Sequence, residues 1–123
     1  PAIWSLKTAI DYIKPRLLAI NDREAQLSDR LLKGLLSLDN VIVYNQDRKK
    51  VPTICFNIEG ISSSDVVTAL DKNGICVRGG IHCAILAHET LGTVETGTVR
   101  VSLNFMNTKD EVDAFLEILR GLR

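Results

Sequence analysis

The sequence predicts an α+β domain, a two-layer sandwich whose small, largely antiparallel sheet carries helices on one face. Three observations predict it. Apolar residues recur at helical spacing near both ends of the 123-residue chain. Short β-branched or apolar runs at residues 41–44, 51–58, 75–78 and 99–103 read as strands. The resulting order, α-α-β-β-α-β-loop-β-α, suits a two-layer arrangement around one core.

The elements follow in order. Trp4, Leu6, Ala9, Ile10 and Ile13 keep close to helical spacing, and Pro15 ends or bends that first helix. A second apolar series runs from Leu17 to Leu36; from Asp22 onward it alternates with Asp29, Arg30 and Lys33 as an amphipathic helix does, and Leu38-Asp39-Asn40 reads as its exit. The polar segment 45–50 between two β-branched runs predicts a hairpin, with Arg48-Lys49-Lys50 as its solvated tip. Ser62 to Ser64 offer N-caps for a helix over about residues 65–72, closed by Asn73-Gly74. Ile75 to Arg78 reads as a strand broken at Gly79-Gly80, and residues 99–103 as another. Asn107 or Thr108 caps a last helix reaching about Leu122, with Val112, Phe115, Leu116 and Leu119 on one side. Arg120 and Arg123 suit the dipole at its end.

Composition bounds the function. One domain's worth of chain, 46% hydrophobic and 24% charged, argues against disorder. With 15 basic and 15 acidic residues the formal charge is zero, which gives no long-range field for nucleic acid or an anionic membrane surface. No apolar run approaches the ~20 residues of a membrane span. The start, Pro1-Ala2-Ile3-Trp4, has no signal-peptide character and no initiator Met, so the sequence reads as a piece of a longer chain. Cys55, Cys76 and Cys83 cannot all pair, which favours a reducing, cytoplasmic setting.

The chemistry concentrates between Gly79 and Thr98, about 20 residues between two strands, a length at which loops are usually functional. Both histidines, His82 and His88, lie there with Cys83 and several glycines, and Arg78 and Arg100 flank the segment on strands. Gly79-Gly80 lets the chain swing off a strand end. A cysteine at such a turn near cations is where a nucleophilic thiolate is expected. Two guanidinium forks at strand ends suit a carboxylate. Cys55 and Cys76, each inside an apolar strand, read as inert packing, and each histidine alone reads as a partly exposed polar residue. His82, Cys83 and His88 lack the spacing of a zinc site, so no metal is expected. Neither phosphate-cradling glycine pattern is present.

Val77-Arg78-Gly79-Gly80-Ile81-His82-Cys83-Ala84 resembles the Arg-Thr/Ser-Gly-His-His-Cys-Ala stretch of cysteine desulfurases and selenocysteine lyases. These are class V aminotransferase family enzymes, which use pyridoxal phosphate (PLP) on fold type I. Residues 98–103 and 107–113 resemble the family's Val-Arg-x-Ser and Asn-Thr-x-Glu-Glu-Ile-Asp ending, and residues 1–10 the segment after the PLP-bearing lysine.

The resemblance covers the whole chain and implies that residues 1–123 are the C-terminal small domain of such an enzyme. It implies Cys83 as the nucleophile that takes sulfur from L-cysteine as a persulfide, releasing alanine. Arg100 would bind the substrate α-carboxylate and Arg78 would be a second, substrate-binding active-site arginine, with His82, which matches the histidine just before the cysteine, as a further substrate contact. PLP would be held mostly by a domain outside these residues, so the piece alone is expected to be inactive. Implied partners are an amino-acid substrate, a second copy in a homodimer and a sulfur-acceptor protein. Gly79, Ile81, Met106 and the stretch from Leu91 to Gly97 depart from the family pattern, which leaves the substrate open. Two other readings stay open: a class V aminotransferase or PLP lyase that does not use Cys83, and a small-molecule-binding regulatory module.

Overall fold

A computed structural model describes residues 1–44, 46, 52–81 and 83–122. Helix α1 (Ala2–Ile13) passes through a single 3₁₀ turn (Lys14–Arg16) into α2 (Leu17–Leu36), followed by strands β1 (Val41–Tyr44) and β2 (Thr53–Ile58). Then come α3 (Ser63–Asp71), β3 (Arg78–Gly80), α4 (Ile85–Leu91), β4 (Thr98–Ser102) and α5 (Lys109–Arg120). The strands form one antiparallel sheet in the order β1-β2-β4-β3. This is the expected α+β architecture, with a helix within the long loop in addition.

Strand β2 shows why one face is covered. Its alternation buries Ile54, Phe56 and Ile58 and leaves Thr53, Cys55 and Asn57 half-buried on the other side. Phe56 and Val99 meet the α2 residues Leu27, Leu31 and Leu35, with Val66 and Leu70 of α3 and Val112, Phe115 and Leu119 of α5 in the same core. The Phe56 and Phe115 rings pack edge to face with centroids 6.1 Å apart. Helices α2 and α5 approach closely at Gly34, where an added Cβ would collide with the Leu116 side chain. A two-pronged Arg30–Asp113 ion pair, with N···O distances of 2.7 and 2.6 Å, closes the outer side of that contact.

Pro15 bends the first helical run without ending helicity. It stands at the start of the 3₁₀ turn, where its missing N–H costs no bond, and α2 resumes at Leu17 rather than Asp22. Residues 17–19 are exposed, so the amphipathic pattern begins later than the helix does. Helix α3 is capped by Ser62, whose hydroxyl accepts from the Asp65 N–H. Helix α5 carries a full capping box: Glu111 N–H donates to Thr108 Oγ1 and Thr108 N–H to a Glu111 carboxylate oxygen.

Two expectations are corrected. Residues 75–77 are not in a strand, because the Ile75 N–H is engaged at the exit of α3, donating to the Leu70 carbonyl at 3.0 Å. Cys76 is therefore exposed rather than packed in a strand, and it lines a cavity of about 300 Å³ with Val101, Leu103 and Phe115 among its walls. The hairpin turn, the Arg48-Lys49-Lys50 tip, the Val51 start of the second strand and Arg123 lie outside the described residues.

Candidate active site

The strand register aligns the two arginines. Arg100, half-buried in β4, stands opposite Arg78, the first residue of β3. On its other side Arg100 faces Cys55, and Cys55 faces Tyr44. Tyr44, Cys55, Arg100 and Arg78 therefore form one row across the sheet. The adjacent row, Val43, Phe56, Val99 and Gly79, belongs to the core face, so the arginine row lies on the face away from α2, α3 and α5. Directly opposed residues hold their Cβ atoms roughly 5 Å apart. The fork geometry of a guanidinium group matches a carboxylate.

Cys83 lies in the glycine-bounded loop that joins β3 to β4. Gly80 ends β3 with φ +103°, and Gly97 precedes β4 with φ +62°. An added Cβ on Gly97 would lie 2.6 Å from Gly80 Cα, so the two ends of the loop are in backbone contact and side chains are excluded there. Cys83 emerges exposed three residues beyond Gly80, and Arg100 lies two residues beyond Gly80's partner Thr98. None of the three cysteines is disulfide-bonded. His82 lies outside the described residues.

Gly79 has a local reason. A Cβ there would meet Val67 Cγ2 at 2.7 Å and the Ser63 carbonyl oxygen at 2.8 Å. Helix α3 thus packs directly on the β3 backbone, and a Thr or Ser at this position would push it away.

Helix α4 ends at Gly92 in the left-handed conformation, and its one buried side chain is His88, 5% exposed, with Nδ1 2.8 Å from Thr93 Oγ1. The expectation of a partly exposed histidine is thereby corrected: the imidazole seats the helix. Cys55 is corrected too, since it is half-buried on the open face beside Arg100 instead of in the core. Its position is readable in the alternation from Thr53 to Ile58. The burial of His88 has no such signal, because its neighbours Leu86, Ala87 and Glu89 are exposed.

The family model for class V aminotransferases matches residues 1–115. A probable cysteine desulfurase of Synechocystis sp. is 33% identical over 121 residues, covering 95% of this chain and 28% of that protein. One from Xylella fastidiosa is 34% identical over 119 residues, covering 96% of this chain and 28% of its own length. Among solved structures, the apo cysteine desulfurase of Thermococcus onnurineus NA1 is similar with a TM-score of 0.84 and 35% identity, over 92% of this chain and 28% of that one. The cysteine desulfurase CsdA of Escherichia coli aligns with a TM-score of 0.71 and 30% identity, over 80% and 24%. The chain spans about a quarter of the length of these relatives. With fold, motif order and family model in agreement along nearly its whole length, the chain belongs to the class V aminotransferase family.

Proposed function

We propose that residues 1–123 are the C-terminal small domain of a PLP-dependent cysteine desulfurase. The observation that carries this reading is a pair of opposed arginines on β3 and β4 together with an exposed cysteine three residues beyond the end of β3. The relatives named cysteine desulfurases support the same chemistry. An apolar stripe left uncovered on α1, with Ile3 84%, Trp4 74% and Leu6 62% exposed, supports a missing domain on that side.

The residues fit a role opposite the cofactor rather than around it. Among the described residues, Lys7, Lys14, Lys33, Lys72 and Lys109 lie on helices, the 3₁₀ turn or a helix exit, and none stands in the arginine row. The lysine that bonds PLP belongs to the remainder of the protein in this reading. PLP, when bound, supplies the electron sink that makes the substrate's carbon–sulfur bond cleavable.

Arg100 and Arg78 grip the α-carboxylate of cysteine and fix its sulfur toward the loop, and His82 supplies a further substrate contact. The Cys83 thiolate attacks that sulfur. A Cys83 Sγ–S bond forms as the substrate's Cβ–S bond breaks. The breaking pair remains with the substrate carbon, which takes up a proton and leaves as alanine. The persulfide passes to a thiol-bearing acceptor protein. The full-length enzyme acts as a homodimer in a reducing, cytoplasmic compartment. No helix among the described residues is long and apolar enough to cross a membrane.

The test is alanine release from L-cysteine by the full-length, PLP-loaded protein beside its Cys83→Ala variant. Release that depends on Cys83 is expected. Equal release by both proteins would point to a lyase that does not use Cys83. Release by neither would move the substrate to another amino acid.

A further inference from the structure

Helix α4 starts two residues after Cys83 and is only seven residues long, with no side-chain N-cap. A helix so short does not stand by its own propensity; its placement comes from side-chain contacts. Ile85, Leu86, Ala87, Glu89 and Thr90 are exposed, and the single buried side chain is His88. Helix α4 is thus seated by a polar group, which fixes direction as well as depth.

The bonds around His88 form a continuous path. Its Nδ1 lies 2.8 Å from the hydroxyl of Thr93, itself only 3% exposed, and the Thr93 N–H donates to the His88 carbonyl at 2.8 Å. The Thr93 carbonyl accepts from the Gly97 N–H at 2.8 Å. Asn57 Nδ2 of β2 donates to the Gly97 carbonyl at 2.9 Å, and Ser63 Oγ of α3 donates to the Thr96 carbonyl at 2.8 Å. Gly97 leads directly into β4, which carries Arg100. Besides the backbone contact of Gly80 with Gly97, a buried histidine–threonine pair therefore links the helix that follows the nucleophile to the segment leading into the strand of the carboxylate-binding arginine.

We infer that His88 and Thr93 are positioning residues that hold Cys83 at attack distance from a substrate anchored by Arg100. The inference rests on the desulfurase reading proposed above. Neither side chain touches substrate. Together they set where the thiol sits, and misplacing a reacting group by about 1 Å costs on the order of 10²-fold in rate.

The experiment uses the full-length, PLP-loaded protein and the substitutions Thr93→Val, Thr93→Ser and His88→Leu. Thr93→Val keeps the shape and removes only the hydroxyl; Thr93→Ser keeps the hydroxyl. Thr93→Val should lower kcat for alanine release by ~10–100-fold with KM changed by less than ~3-fold, and Thr93→Ser should restore it. His88→Leu should lower kcat at least as far as Thr93→Val does, and Thr93→Val should cost less in the His88→Leu background than in the wild type. A second readout is independent of turnover: the rate of Cys83 alkylation by iodoacetamide, followed by peptide mass spectrometry without substrate. It should change in Thr93→Val and return in Thr93→Ser. Unchanged kcat and alkylation in Thr93→Val, or an equal loss in Thr93→Ser, would overturn the inference. A Cys83→Ala control run alongside separates the two failures. If it retains wild-type release, the desulfurase reading falls, whereas a Cys83-dependent enzyme indifferent to Thr93→Val sinks the positioning role alone.

Discussion

Arg78 and Arg100 occupy facing positions on neighbouring strands. A hydrogen-bonded pair between Arg100 and a substrate carboxylate contributes about 1.5–3 kcal/mol, a factor of roughly 10–150. Replacing Arg100 by Gln in the full-length enzyme should therefore raise KM for L-cysteine by about that factor with a smaller change in kcat. Arg100→Lys should recover only part of it, because a point charge cannot make the bidentate contact. Steady-state kinetics on both variants check this, and an unchanged KM in Arg100→Gln would remove Arg100 from carboxylate binding. Both arginines were legible as candidates from the sequence, since they flank a glycine-rich loop on strands. Their direct opposition was not, because register is set by long-range pairing. Cys55 could have been placed on the open face by counting alternate residues from Phe56. His88 could not, because a buried imidazole among exposed neighbours leaves no periodic trace.

At the scale of elements, α5 is held by charge as well as by its apolar side. Hydrogen bonds from Arg30 hold the Asp113 carboxyl below the usual carboxylate range. The Thr108 N–H, with the Asn107 side chain second, does the same for Glu111 in the capping box. Both groups have folded-state pKa values depressed below their unfolded ones. Their contribution is therefore present above the unfolded values, near ~4, and is lost as pH falls through the lower folded values. The urea midpoint of the 123-residue chain should thus fall on acidification below about pH 5, and Asp113→Asn should flatten part of that fall. Equal steepness in wild type and Asp113→Asn would contradict this role for the Arg30 pair. The capping box, the α5 stripe and the α3 cap were all readable in the sequence, because each is a local pattern. The short β3 was misplaced, since Ile75–Val77 have strand composition while the Ile75 backbone is engaged by the exit of α3. Helix α4 was hidden for the reason given for His88: it has no apolar stripe to count.

At the scale of the molecule, one sheet separates two functions. Its inner face builds a core with α2, α3 and α5, which the apolar patterning of the sequence largely foretold. Its outer face carries the arginine row, and this division could be read from strand alternation once the pairing order was known. What the residues 1–123 could not yield alone is the cover over α1, because none of its side chains is buried within this chain. In the proposed reading the exposed apolar side of α1 meets the remainder of the protein, and the relatives are more than three times as long as this chain. The central claim is that Cys83 receives the substrate's sulfur. The most direct measurement is mass spectrometry of the Cys83 peptide after a single turnover of the full-length, PLP-loaded protein with L-cysteine and no acceptor. The account predicts a Cys83 peptide heavier by one sulfur atom, with the mass returning to its starting value on reduction. Alanine formed in stoichiometric amount while the Cys83 peptide stays unmodified would contradict it.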